Sequence, residues 1–115
     1  MAQSGTVVLV TMGGNLDAVV GKRLATALNA VLEKSVRPAS TFWDLEGLER
    51  YHSDVRVLCT QALLRNWARV SSVQTLATNR IVKMGVAVAN VALHGRVHNT
   101  ESRREFDALL RQALT

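Results

Sequence analysis

The sequence predicts an α/β protein in which four β-α units form a mainly parallel sheet. Short runs of apolar and β-branched residues alternate with longer segments whose apolar residues recur at helical spacing, and the connections between them are short. Strands that alternate with helices are joined by crossover connections, which make neighbouring strands parallel. The chain has 115 residues, of which 48% are apolar and 20% charged. Residues 1–115 are therefore expected to form a single globular domain.

The first unit is predicted from a strand over residues 6–12 and a helix that begins at Asp17. The strand run is apolar and β-branched, as expected for a strand covered on both faces. Gly13 and Gly14 follow it, and they favour a tight turn because the third glycine of a dinucleotide-binding fingerprint is missing. The helix has its apolar residues on one stripe: Val20, Leu24, Ala27, Leu28 and Val31.

The second unit is predicted from a strand over residues 39–45, a polar loop over residues 46–52 and a helix that opens at Ser53. The Ser53 hydroxyl is a good helix N-cap, and the Asp54 carboxylate suits the positive end of the helix dipole. The helix buries an apolar stripe of Val55, Leu58, Cys59, Ala62 and Leu63. On that stripe, Cys59 is interpreted as a small core residue and not as a nucleophile.

The third helix, predicted over residues 81–93, is apolar on almost every side. It follows a strand over residues 72–77 and an N-cap at Asn79. Two interpretations stay open: a buried core helix, or a helix with an apolar outer face that forms a homodimer or partner interface. The residues proposed for that interface are Val82, Gly85, Val86 and Ala89.

The fourth unit is a brief strand over residues 95–98 and a helix that begins near Ser102. Ser102 and Glu105 have the spacing of a capping box. The apolar residues that this helix is expected to bury are Phe106, Leu109, Leu110 and Ala113.

Composition and charge argue against several classes of function. The net charge is +5, but the basic residues are spread along the chain and aromatic residues make up only 4%, so nucleic-acid binding is not expected. No run of apolar residues is long enough for an integral membrane segment. The N-terminal residues lack the basic region of a signal peptide and Cys59 is the single cysteine, so a cytoplasmic protein is expected. No residue spacing predicts a metal site or a cofactor.

The most polar strand exit of the chain lies in residues 42–54, after the second strand. Ligand and partner sites of open parallel sheets lie outside the carboxyl ends of the strands, so we expect the functional site here. Asp44, Glu46 and Glu49 could act there as acid and base, with His52 as a further group. No spacing places a histidine or a metal ligand beside them, and no catalytic residue is predicted.

Two segments resemble the signature of STAS domains, the SpoIIAA-like anti-sigma factor antagonists. In that family a strand ends in an aspartate, a glycine follows three residues later, and a serine opens the next helix. Asp44, Gly47 and Ser53 match this order, and Gly14 and Asp17 match the family's turn before its first long helix. The resemblance covers residues 7–93 and implies a SpoIIAA-like (STAS) fold with a curved, mainly parallel sheet.

The resemblance implies a non-catalytic bacterial regulator that acts by protein-protein contact, not an enzyme. Ser53 would be the residue that an anti-sigma-type kinase phosphorylates, and the alternative is that Ser53 is only a helix N-cap. The chain departs from the family pattern at His52, which replaces an aspartate, and at residues 54–56, which replace small residues. The docking surface would comprise Ser53, His52, Asp54, Arg56, Asp44 and Gly47.

A second resemblance points to the STAS/SEC14-like bacterial branch of the same superfamily. It rests on residues 70–76, 81–93 and 106–110. This branch implies an alternative function, in which the third helix binds a lipid or a small apolar ligand.

Overall fold

The computed structural model describes the backbone of residues 1–115 and all side chains except those of residues 2 and 3. The strands are β1 (Ala2–Ser4), β2 (Val7–Leu16), β3 (Ala39–Tyr51), β4 (Val70–Leu76) and β5 (Val97–Thr100). The helices are α1 (Ala18–Glu33), α2 (Ser53–Arg65), α3 (Arg80–Ala92) and α4 (Arg103–Leu114), with a 3₁₀ turn at Trp67–Arg69.

The five strands form one sheet in the order β1-β2-β3-β4-β5. Strands β2 to β5 are parallel to one another, whereas β1 pairs antiparallel with β2. Four parallel strands alternate with four helices, so the predicted α/β architecture is confirmed. The short strand β1 has no counterpart in the sequence prediction.

Strands β2 and β3 run well beyond the ends that the sequence predicts. The prediction that Gly13 and Gly14 form a tight turn is wrong, because both pair with β3 in a stretch where the register shifts. Gly14 has φ +68, a value that glycine adopts without steric cost. The polar loop predicted over residues 46–52 is also wrong: β3 continues to Tyr51 and only His52 separates it from α2.

The helices divide unequally between the two faces of the sheet. Helices α1, α2 and α3 cover one face, where Leu28, Val55 and Val82 join a large core with Val10 and Trp43. Helix α4 covers the other face with a small cluster centred on Phe106, which is fully buried beside Phe42 and Leu76. The sheet is therefore the middle layer of three.

Asparagine side chains bind the ends of several elements. The Asn99 carboxamide accepts hydrogen bonds from the Thr75 hydroxyl at 2.7 Å and the Ala77 amide at 3.0 Å, which links β5 to the end of β4. Asn90 on α3 accepts from the Val97 amide at 2.9 Å. As predicted, Asn79 caps α3, by accepting from the Ile81 amide at 2.8 Å.

The fourth unit departs from its prediction in small ways. Strand β5 begins two residues later than expected, at Val97. The Ser102 hydroxyl caps α4 by accepting from the Glu105 amide, but the Glu105 carboxylate accepts from the Thr100 hydroxyl and not from the Ser102 amide. Ala113 was expected in the core and is exposed.

Candidate functional site

Ser53 lies at the end of β3 with a hydroxyl that is not used to cap α2. The N-cap is His52, whose Nδ1 accepts a hydrogen bond from the Asp54 amide at 3.1 Å. The prediction of Ser53 as the N-cap is therefore wrong, because its backbone is already helical. Ser53 is exposed at the first position of the helix, where unpaired amides and the dipole favour a negative group.

The residues around Ser53 form an open cleft at the carboxyl ends of β2 and β3. Asp17 and His52 both line it, and the His52 amide donates to the Leu16 carbonyl at 2.8 Å. Asp17 caps α1 by accepting from the Val20 amide at 3.0 Å. The structure thus brings Asp17, His52, Ser53 and Asp54 to one end of the sheet, where the sequence predicts a site.

Arg56 follows Ser53 by three residues on the same helix. Residues at this spacing are neighbours on a helix surface. The Arg56 side chain is half-buried, and none of the hydrogen bonds or ion pairs among the described side chains includes its guanidinium. It is a cation that lies close to Ser53 and is free to pair with an anion.

Asp44 belongs to a different part of the molecule. It faces α4, where the Arg103 guanidinium donates to the Asp44 carboxylate at 2.8 and 2.9 Å. Arg103 also binds Glu46 at 3.0 Å and Asp107 at 3.2 Å. The hydrogen bonds that Arg103 donates, first to Asp44 and then to Glu46, raise the pKa of its guanidinium. Asp44 therefore anchors α4, on the opposite face of the sheet from the helix that begins at Ser53.

The acid-base arrangement considered for Asp44, Glu46 and His52 does not form in the structure. Arg103 neutralises both carboxylates on the α4 side of the sheet, whereas His52 follows the far end of β3 and caps α2. Gly47 pairs with Gly13 within the sheet and is exposed there. Of the six residues predicted to dock a partner, four are grouped around the start of α2.

An apolar cavity of about 90 Å³ lies between α2, α3 and the sheet. Trp43 and Tyr51 of β3, Cys59 of α2 and Ala89 of α3 contribute to its lining. Burial raises the pKa of the Cys59 thiol to about 12, so the thiol is neutral at pH 7. Protein interiors contain few voids larger than a water molecule, which makes this cavity a candidate ligand site.

The four residues proposed for an interface on α3 lie on its inner side. Val82 and Gly85 are buried, and all four residues line the apolar cavity. This corrects the prediction that they form an outward surface. The outer side of α3 is nevertheless apolar, with four exposed residues one or two turns apart: Ile81, Met84, Val88 and Val91.

Tyr51 is a lining residue of both the cavity and the cleft beside Ser53. Its hydroxyl occupies the space that a side chain on Gly85 would fill: a Cβ built there would overlap the Tyr51 Oη. No sequence pattern predicts this contact. Its single signal in the sequence is a glycine within an otherwise apolar helix.

Among the described residues, no group of three or more His, Cys, Asp or Glu side chains could hold a metal ion. Within the same part of the chain, no helix is both long enough and apolar enough to span a membrane.

The fold and the cleft at the carboxyl ends of its strands define an α/β protein of the SpoIIAA-like fold. The anti-sigma factor antagonist SpoIIAA in its unphosphorylated form matches with a TM-score of 0.71 and 13% sequence identity, over 97% of this chain and 94% of that chain. The STAS-type fold predicted from the sequence is therefore confirmed.

A second solved structure has the same architecture. It is an uncharacterized protein of the DUF3478 family with a SpoIIAA-like fold, from Shewanella loihica PV-4. It matches with a TM-score of 0.65 and 16% identity, over 89% of this chain and 82% of that chain. No family model matches the sequence, and no curated protein matches it. At these identities the likeness establishes the fold.

Proposed function

We propose that the protein is a non-catalytic, cytoplasmic regulator that binds a protein partner at the surface formed by His52, Ser53, Asp54 and Arg56. The fold supports a regulatory role, since the similar structure SpoIIAA is an anti-sigma factor antagonist. The partner would be an anti-sigma-type kinase or another regulator. The observation that carries the proposal is the exposed Ser53 hydroxyl, which His52 leaves free by capping the helix in its place.

Phosphorylation of Ser53 would switch this surface. A phosphoryl group adds nearly two negative charges at a helix N-terminus, where the dipole stabilises them. Arg56, one turn along, can pair with the phosphate. A partner that docks on the unmodified surface would then have to desolvate a strongly charged group, so the phosphorylated protein should bind it more weakly.

The test begins with intact-mass measurement of the protein from its native host, in the wild type and in Ser53→Ala. A phosphate-sized mass increase that Ser53→Ala abolishes is the expected result. Co-purification from the same host then provides the partner for binding measurements. Ser53→Asp should weaken that binding on the order of tenfold, whereas Gln61→Glu, which adds one charge elsewhere on the exposed side of α2, should not. Equal effects of the two charges would contradict a switch at Ser53.

The apolar outer side of α3 supports a homodimer. Met84 is 63% exposed and Val91 82% exposed, and an apolar stripe of this kind is typical of an interaction surface. Light scattering during size-exclusion chromatography should give the mass of two chains. Val88→Asp should give the mass of one chain, while Val36→Asp, at an exposed valine before β3, should leave the dimer intact. A monomeric wild type at high concentration would exclude this assembly.

The second candidate function is binding of a lipid or a small apolar ligand beneath α3. The specific observation in its favour is the apolar cavity of about 90 Å³ between α2, α3 and the sheet. Native mass spectrometry and solvent extraction of freshly purified protein test this candidate directly. A ligand that elutes with the protein and is absent from an Ala89→Leu variant, whose added side chain fills the cavity, would support it.

A further inference from the structure

Among the described residues that line the cavity, most are apolar and one is charged. That residue is Arg56, the half-buried arginine of α2. The wall also includes Val86 and Ala89 of α3 and Thr60, which follows Arg56 by one turn of α2. Arginine side chains commonly lay their methylene stem along an apolar surface and keep the guanidinium towards water. We therefore expect the Arg56 guanidinium at the water-exposed edge of an apolar cavity.

We propose that this cavity binds a short-chain carboxylate, with the hydrocarbon tail in the interior and the carboxylate on the Arg56 guanidinium. The proposal rests on the second candidate function and names its ligand class. The interior excludes a polar tail, because a buried polar group without a hydrogen-bond partner costs several kcal/mol. One polar group of the lining is already used, because the Thr75 hydroxyl donates to Asn99 at 2.7 Å.

The charge at the edge of the cavity selects an anionic head. Arg56 has no acidic partner, because none of the ion pairs among the described side chains includes it. A guanidinium binds a carboxylate through two parallel hydrogen bonds. The overall charge of +5 also favours the approach of anions.

The volume limits the tail. A cavity of about 90 Å³ is smaller than the ~150 Å³ apolar cavity that holds benzene. The tail should thus contain about four carbon atoms within the protein. Longer chains must leave their ends in water or push α3 outward.

The test is a methyl-NMR titration with straight-chain carboxylates from acetate to octanoate. The affinity should rise roughly fourfold for each added methylene and stop rising once the cavity is full. Ala89→Leu and Thr60→Leu each reduce the cavity from a different helix, so one serves if the other does not fold. In either variant the rise should end at a shorter chain.

The head group is tested by charge. Arg56→Gln should lower the affinity for pentanoate about tenfold or more and leave the weak binding of pentanamide unchanged. Arg65→Gln is the matched control, because Arg65 is an exposed arginine at the other end of α2. It should bind pentanoate as the wild type does.

Two results would overturn the proposal. Affinity that does not depend on chain length would exclude the cavity as the tail site. Equal binding of pentanoate and pentanamide, unchanged in Arg56→Gln, would exclude the anionic head and would leave a neutral apolar ligand in place. Xenon under pressure distinguishes failure of the carboxylate proposal from failure of the apolar-ligand function on which it rests. If neither xenon nor any carboxylate shifts the methyl signals around the cavity, the apolar-ligand function itself is excluded.

Discussion

The two faces of the sheet solve the same packing problem in different ways. On the α4 face, one aromatic residue, Phe106, fills the space over Phe42, and the two rings meet edge to face at 5.8 Å. Arg103 then fixes the start of α4 to the sheet through Asp44 and Glu46. On the opposite face three helices cover a much larger area but leave an apolar cavity beneath α3. We call the α4 side the filled face and the side covered by α1, α2 and α3 the hollow face. The filled face supports the sheet, and the hollow face has room for a ligand.

The largest effect is expected from emptying the filled face. Phe106 is the single buried residue of α4, so Phe106→Ala should lower the free energy of unfolding by about 3–5 kcal/mol. Chemical denaturation measures this loss. Leu114→Ala, at an exposed leucine of the same helix, should change stability by less than about 0.5 kcal/mol. A small loss in Phe106→Ala would mean that the ion pairs, and not the ring, hold α4.

The second prediction concerns one methyl group added beside the cavity on the hollow face. Gly85→Ala should destabilise the protein by about 1–3 kcal/mol, because the new methyl group overlaps the Tyr51 hydroxyl. Tyr51→Phe removes that oxygen, so the double variant should regain part of the lost stability. A double-mutant cycle measures the coupling, and purely additive losses would contradict the contact.

The helices and the end of β3, residues 46–51, show what could and could not be predicted from the sequence. Alternating strands and helices were readable because each helix has a regular apolar stripe, as in Leu24 and Leu28 of α1. The end of β3 could not be predicted as a strand. Its core-facing residues Leu45, Leu48 and Tyr51 are three positions apart and do not alternate, because the register shifts near Gly13 and Gly14. A strand with that spacing has the polar pattern of a loop.

The site was predicted in position but not in detail. Serine is a more frequent N-cap than histidine, so the sequence favours Ser53. The backbone geometry instead places His52 at the N-cap and Ser53 in the first turn of the helix. The inner and outer sides of α3 could not be distinguished because both are apolar. The cavity and the Arg103 ion pairs depend on residues far apart in the chain, and no local pattern reports them.

The third prediction uses Cys59 to measure how dry the hollow face is. Burial raises the thiol pKa from its ordinary value of 9.0 to about 12, so the folded protein holds this proton more tightly than the unfolded chain. The stabilisation is complete below pH 9 and is lost as the pH rises towards 12. Relative to Cys59→Ala, the wild type should therefore lose about 1.4 kcal/mol of stability by pH 10. Parallel pH curves for the two proteins would indicate a hydrated cavity.

The smallest effect is expected from the ion pairs on the filled face. The Arg103 side chain is 42% exposed, and water and salt screen such pairs, so Arg103→Gln should cost about 1 kcal/mol or less. The loss should shrink in high salt, which denaturation at two ionic strengths measures. Arg104→Gln, at the neighbouring exposed arginine, is the control. A salt-independent loss would indicate that Arg103 acts through its contact with the Phe106 ring, which lies 5.9 Å from the guanidinium.

The guanidinium of Arg56, which pairs with none of the described acidic side chains, has a consequence for how many states this protein can adopt. It lies one turn from Ser53 and also in the wall of the cavity, and a single guanidinium forms one bidentate pair with an oxyanion at a time. If both proposals hold, a phosphate on Ser53 and a carboxylate at the cavity compete for the same cation. A phosphate on Ser53 would lower the affinity for the carboxylate, and a bound carboxylate would leave the phosphate without this cation. The two states would then exclude each other. A carboxylate bound in the cavity would alter the docking surface around Ser53 by occupying Arg56, without touching that surface itself.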